Sequence, residues 1–141
     1  MTGTARKYMI FTLAGLRFAL DLAQVTEVLE QPVTWPIPMA PRCYTGAMNF
    51  HGTIVAAMDL AMFLALPENH ATETTIILDT RIASLAFMVE QVIRITTVEH
   101  SDIREGAEGA FATALLNLPD GTATLLDAAA IAELAGETIN G

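Results

Sequence analysis

The chain has 141 residues, of which 52% are hydrophobic and 16% are charged, and its formal net charge is −9. The length predicts one domain, residues 1–141, with a core large enough to fold without disulfides. The shortage of basic residues argues against nucleic-acid binding, which needs clustered lysine and arginine. The single cysteine, Cys43, excludes a disulfide within the chain and is typical of a reducing compartment.

The charge is unevenly distributed along the chain. Residues 1–66 contain four acidic and four basic residues, whereas residues 67–141 contain twelve and three. An uncharged apolar half beside an acidic half is consistent with a protein that buries one side against a partner. The longest apolar run, residues 52–66, is too short to cross a bilayer and contains Asp59. The N-terminal run is better explained as a strand than as a signal peptide, so we expect a cytoplasmic protein without membrane insertion.

Short runs with the composition or alternation of β-strands recur along the whole chain. In chain order they cover residues 8–13, 17–22, 53–58, 74–78, 84–89, 92–98, 111–118 and 122–126. Turn residues separate them, and Pro119-Asp120-Gly121 is the strongest of these signals. Such a succession predicts a mainly β barrel or sandwich with little helix.

Three segments carry helical signals instead. The apolar spacing from Leu22 to Leu29 predicts about two helical turns that end before Pro32. Residues 60–66 predict a short helical turn or a strand end. The alanine-rich run 128–135 predicts a C-terminal helix, with Asp127 as its N-cap and Gly136 as its end.

The remaining segments are expected to be irregular. Four prolines between residues 32 and 41 predict an extended path that cannot be a central strand. Gly46 and Gly52 mark a turn region. Residues 67–73 and 99–109 are polar or rich in acid and glycine, and both predict loops.

The sequence contains no recognisable catalytic or metal-binding pattern. Neither of its two serines lies in a nucleophile elbow, and its three histidines have no metal-type spacing. Asp21, Asp59 and Asp127 each end an apolar run, where aspartate usually accepts backbone hydrogen bonds or caps a turn. We therefore expect no enzyme, no metal and no cofactor.

The run from Gly46 to Leu60, read with residues 17–28, resembles the CheW-like domain of bacterial chemotaxis adaptors. Phe50-His51-Gly52 stands where the family has Leu-Arg-Gly, and Asp59-Leu60-Ala61 stands where it has Asp-Leu-Arg. Residues 85–92 and 125–131 are similar to the family's later motifs. The resemblance covers residues 8–135 and implies two small five-stranded, SH3-like barrels packed around a shared core.

The resemblance also implies a function. Such a domain would be a scaffold that joins the cytoplasmic tips of chemoreceptors to the regulatory domain of a histidine kinase. It would act without catalysis. Its receptor-facing groove would lie between the two barrels, at the positions of Val25, Glu27, Asn49, His51 and Gly52 in this chain. For Val25, packing in the core is an equally good interpretation.

Several positions depart from the family pattern. The permanent cation of the turn arginine becomes His51, a ring that is mostly neutral at pH 7. Ala61 removes a second arginine, and the usual Pro-Val is Ala56-Ala57. The longer Glu90 replaces an aspartate, and Thr113 lies where a glycine is expected. These changes are compatible with a β fold and bear mainly on receptor binding.

Two other hypotheses remain open at this point. In one, the chain keeps the fold but is a stand-alone interaction module that self-associates, as a homo-oligomer, or binds another signalling protein. In the other, it is a small β-barrel that binds a ligand or performs an unrecognised reaction.

Overall fold

The computed structural model describes residues 5–67, 72–107, 109 and 111–140, with the backbone alone for residues 137–140, and this part of the chain is mainly β. The strands are β1 Arg6–Leu13, β2 Leu16–Asp21, β3 Val25–Glu30, β4 Tyr44–Phe50, β5 Thr53–Asp59, β6 Thr74–Leu78, β7 Leu85–Val89, β8 Gln91–Val98, β9 Ile103–Glu105, β10 Ala112–Leu118 and β11 Gly121–Leu126. The helices are α1 Leu60–Phe63 and α2 Ala128–Asn140. Short 3-10 turns, Leu22–Gln24 and His100–Asp102, precede β3 and β9. The predicted fold class is confirmed.

The described strands form two sheets. The first sheet has six strands in the order β8-β1-β2-β11-β10-β9, and the second has five in the order β3-β6-β7-β5-β4. Each contains one parallel pair, β2 with β11 and β5 with β7, and the other neighbours are antiparallel. The first sheet has one strand more than the resemblance implies, because the three-residue β9 pairs with β10.

Both sheets contribute a face to one shared core. Met9, Phe11 and Leu13 of β1 lie on the face of the first sheet that borders the shared core. Phe87 of β7 lies on the facing side of the second sheet. Ile131 of α2 is fully buried in the same cluster. The shared core therefore packs the two sheets and the C-terminal helix together.

Each sheet also has a small core on its other face. Tyr8 and Ile10 point away from the shared core into the first-sheet core, together with Ala19, Val98, Leu116 and Ala123. The second-sheet core consists of Met48, Val55, Ile77 and Ala86. Strand β8 contacts β10 as well as its neighbour β1, so the first sheet curls around its own core. Strand β1 is buried on both faces because the shared core lies on one side of it and the first-sheet core on the other.

The three aspartates at strand ends are structural. The Oδ1 atoms of Asp21, Asp59 and Asp127 accept hydrogen bonds from the backbone N–H groups of Ala23, Met62 and Ala130, at 3.0, 3.2 and 3.0 Å. Each side chain satisfies an N–H group that the first turn leaves unpaired. The sequence-based interpretation of these residues as caps is confirmed.

The helix predicted over Leu22 to Leu29 is wrong. A 3-10 turn is followed there by β3, which pairs with β6. The register shifts between Val25 and Glu27, so that Val25 and Val28, three residues apart, both pack against the shared core. A β-bulge thus produces the spacing that is usually typical of a helix.

Three further expectations need correction. Gly46 lies inside β4 and not in a turn region. Within residues 99–109, predicted as a loop, the chain forms a 3-10 turn and β9. Helix α2 continues beyond Gly136 to Asn140, because a glycine inside a helix is tolerated when packing holds the helix in place. Of the loop predicted at 67–73, residues 68–71 lie outside the described part.

The proline-rich segment 32–41 covers the outer edge of β4. Trp35 pairs with Ala47 through two backbone hydrogen bonds, of 2.8 and 2.7 Å. The neighbouring Gly46 is buried, and a Cβ atom there would collide with the Trp35 carbonyl group. Glycine is therefore required at this position by close backbone approach and not by a turn.

Asp120 ties the β10–β11 turn to two other strands of the first sheet. Arg94 of β8 donates two hydrogen bonds to its carboxylate, of 3.0 and 2.8 Å, and Arg17 of β2 forms an ion pair with it at 3.0 Å. These hydrogen bonds hold the pKa of the Asp120 carboxyl well below its usual range. The Arg94 contact links β8 to a hairpin that lies apart from it in the sheet order, whereas β2 already neighbours β11.

We predict that Gly46→Ala lowers the free energy of unfolding by at least about 2 kcal/mol, because the new methyl group must displace the Trp35 backbone. Gly136→Ala is the matched control, since nothing lies near its missing Cβ, and it should stabilise α2 by about 0.5 to 1 kcal/mol. Urea denaturation followed by tryptophan fluorescence measures both. Equal stability of the Gly46→Ala variant and the original chain would contradict the close approach.

We also predict that Asp120→Asn lowers stability at pH 7 and does so less at acidic pH. A carboxyl whose pKa is lowered by folding stabilises the native state above its ordinary pKa, near 3.9, and this stabilisation is lost as the pH falls through the folded-state value. Denaturation midpoints of both proteins between pH 7 and pH 2 give the difference. A difference that stays constant over this range would show that the carboxylate charge contributes nothing.

Candidate partner-binding surface

The turn between β4 and β5 is a two-residue loop formed by His51 and Gly52. Their φ angles are 50° and 86°, so both residues are in the left-handed region, as in a type I′ hairpin turn. The Asn49 Oδ1 atom accepts a hydrogen bond of 2.9 Å from the Gly52 N–H group. Three of the five predicted site residues therefore form one local unit.

The turn displays the His51 side chain to solvent. His51, Asn49 and Gly52 are exposed. The His51 ring packs edge-on against Phe50, with ring centroids 4.4 Å apart. Histidine adopts a positive φ more often than most residues, although less readily than glycine. The side chain at this position is thus available to a partner, and its backbone conformation is fixed by the hairpin.

The other two predicted residues, Val25 and Glu27, lie at the start of β3. Val25 is half-buried and packs against the shared core, opposite Leu78. Glu27 is exposed and lies opposite Ile77, a residue of the second-sheet core. Because of the bulge between them, the two side chains lie on opposite faces of the sheet. In this arrangement Glu27 is the accessible residue of the pair.

The two groups of predicted residues occupy the two edges of the second sheet. Strand β3 is at one end of the strand order and β4 is at the other. Leu29 of β3 and Phe50 of β4 nevertheless pack against the same second-sheet core. The two edges therefore lie on either side of the second-sheet core. In the described chain, no hydrogen bond or ion pair joins Glu27 to the His51 turn.

Two exposed apolar side chains near the turn were not singled out as site residues from the sequence. Ile54 lies opposite Asn49 in the β4–β5 pair and is 63% exposed, and Trp35 lies opposite Ala47 and is 52% exposed. Residues 47 and 49 of β4 point to the same side, so Trp35, Asn49 and Ile54 share one face. In the sequence, the tryptophan among the prolines was the signal that could have identified this exposed face.

Two departures from the family pattern have structural explanations. Ala61 is 1% exposed and belongs to the shared core, where an arginine side chain would have no room or water. The Glu90 carboxylate accepts a hydrogen bond of 3.1 Å from the Gly15 N–H group in the β1–β2 turn. The longer side chain thus connects the β7–β8 junction to the first hairpin.

The described residues contain no group of three or more potential metal ligands. Burial raises the pKa of the Cys43 thiol, so this cysteine is a poor nucleophile at neutral pH. In the same described residues, no helix is long and apolar enough to cross a bilayer. What the surface offers is an exposed hairpin turn, a carboxylate and apolar side chains, which are the components of a protein interface.

Comparisons with known proteins agree with this architecture. The crystal structure of the scaffolding protein TtCheW from Thermoanaerobacter tengcongensis is similar, with a TM-score of 0.79 and 20% sequence identity over 88% of this chain and 90% of that one. No curated protein matches the chain at a significant level. The family model of the CheW-like domain matches residues 7–135. The chain therefore belongs to the CheW-like domain family.

Proposed function

We propose that this chain is a chemotaxis adaptor that couples chemoreceptor tips to the regulatory domain of a histidine kinase through protein–protein contacts. The observation that carries the proposal is the family match over residues 7–135. The similar fold belongs to a protein described as a scaffold, which supports the same kind of role. The adaptor acts by binding alone and carries out no reaction.

Within this proposal, Glu27, Asn49, His51 and Gly52 face the receptor. Glu27 and the turn are exposed on the two edges of the second sheet, and both are accessible to a docking helix. A carboxylate on one edge and a hydrogen-bonding ring on the other can fix the orientation of such a helix. Val25 contributes by holding β3 against the shared core, and only its exposed fraction can contact a partner.

We predict that His51→Arg strengthens receptor binding about tenfold, which corresponds to about 1.4 kcal/mol. Arginine has a permanent charge and five hydrogen-bond donors, whereas histidine has at most two donors. Glu27→Ala should weaken binding by a similar factor. Calorimetric titration of each variant with a fragment of the receptor tip from the same organism measures these changes.

Matched controls separate the site from general charge effects. His100→Arg adds the same group at an exposed histidine beside β9, and Glu133→Ala removes an exposed carboxylate from α2. Both controls should leave the affinity unchanged. Unchanged or weaker binding by His51→Arg would contradict the role of the turn. Self-association of the chain without any receptor binding would favour the stand-alone interaction module.

A further inference from the structure

The curled first sheet has an open end that forms a cavity of about 300 Å³. Its apolar lining comes from Ile103 of β9 and Leu125 of β11, which pack against the first-sheet core. Arg6, Tyr8, Glu105 and Thr113 supply polar atoms around it. The volume corresponds to about ten molecules of liquid water, which is room for a small organic molecule. The mouths of β-barrels are frequent ligand sites.

Tyr8 is the aromatic residue of the cavity lining, and its hydroxyl is a possible hydrogen-bond donor. The residue is only 4% exposed, and it lines the cavity. Burial and the charge of Asp21 raise the pKa of Tyr8, so the group remains a neutral hydroxyl that can donate a hydrogen bond. A ligand in the cavity could accept this hydrogen bond.

The rim of the cavity carries charges of both signs. Arg6 lines the cavity and forms an ion pair of 3.1 Å with Asp21. Glu105 on β9 is exposed, and it lines the cavity together with His100. The Thr113 hydroxyl donates to the Leu125 carbonyl, so it offers a ligand only acceptor positions. The cavity thus combines a donor group, an anion and an apolar floor.

We propose that this cavity binds a free amino acid with an apolar side chain. The ligand's carboxylate would accept hydrogen bonds from Tyr8 and Arg6, its ammonium group would pair with Glu105, and its side chain would cover Ile103 and Leu125. A zwitterion matches the mixed rim better than an anion or a cation alone, because each charge meets its opposite. This proposal does not depend on the adaptor function.

The test uses the full chain and three probes of the same shape. L-Leucine has both charges, 4-methylpentanoate lacks the ammonium group, and 3-methylbutylamine lacks the carboxylate. We expect saturable binding of leucine in the micromolar to millimolar range, and binding of the other two at least about tenfold weaker. Calorimetry gives the affinities, and amide chemical shifts of residues 113 and 114 report the location.

Variants distinguish this site from non-specific binding. Tyr8→Phe keeps the buried ring and removes the hydroxyl, and Glu105→Gln changes only an exposed side chain, so both should fold and bind leucine at least about tenfold more weakly. Glu133→Gln on α2 is the matched control and should bind as the original chain does. Absence of saturable binding at millimolar leucine would overturn the proposal. Equal affinity for leucine and 4-methylpentanoate, or unchanged affinity of both cavity variants, would overturn it as well.

Discussion

The contact between the two sheets in the shared core determines how the rest of the chain is arranged. Phe11 and Phe87, one from each sheet, are fully buried there, and Ile131 brings the C-terminal helix to the same cluster. Burial of a large apolar side chain contributes about 1.5 to 3 kcal/mol, so this cluster is a major source of stability. Since β1 also lines the first-sheet core with Tyr8 and Ile10, the shared core and that smaller core stabilise each other.

Within the described part of the chain, this packing leaves the His51 turn exposed. The His51 turn lies at the end of a hairpin whose strands β4 and β5 are fixed by Met48 and Val55 in the second-sheet core. The proline-rich segment covers the open edge of β4, which reduces the risk of uncontrolled strand pairing at that edge. The exposed groups are therefore presented by a rigid hairpin, which lowers the conformational cost of binding.

Much of the fold was predictable because local signals agreed with it. Alternation identified β8, where Ile93 and Ile95 are exposed and Val98 is buried. Turn chemistry identified the β10–β11 hairpin at Asp120 and the N-cap Asp127. Strand β3 was not predictable in the same way, and a helix was expected from Leu22 to Leu29. The bulge beside Val25 changes the spacing of the buried residues from two to three.

The candidate site was less predictable than the fold. The glycine pattern located the turn, and the structure assigns its type through the φ angles of His51 and Gly52. Sequence spacing could not show that Val25 and Glu27 lie on opposite faces, nor that Trp35 lies beside Ala47. Gly46 was interpreted as a turn residue because the approach of the Trp35 backbone depends on a contact between separate segments. Single-sequence patterns contain no information on such contacts.

The measurement that tests the adaptor account most directly is calorimetric titration of the purified chain with the regulatory domain of the chemotaxis kinase from the same organism. The account predicts saturable binding with a dissociation constant in the micromolar range or tighter. It also predicts that the chain binds kinase and receptor tip at the same time, in one complex. Absence of binding to every such kinase domain would contradict the account and show that the fold serves another interaction.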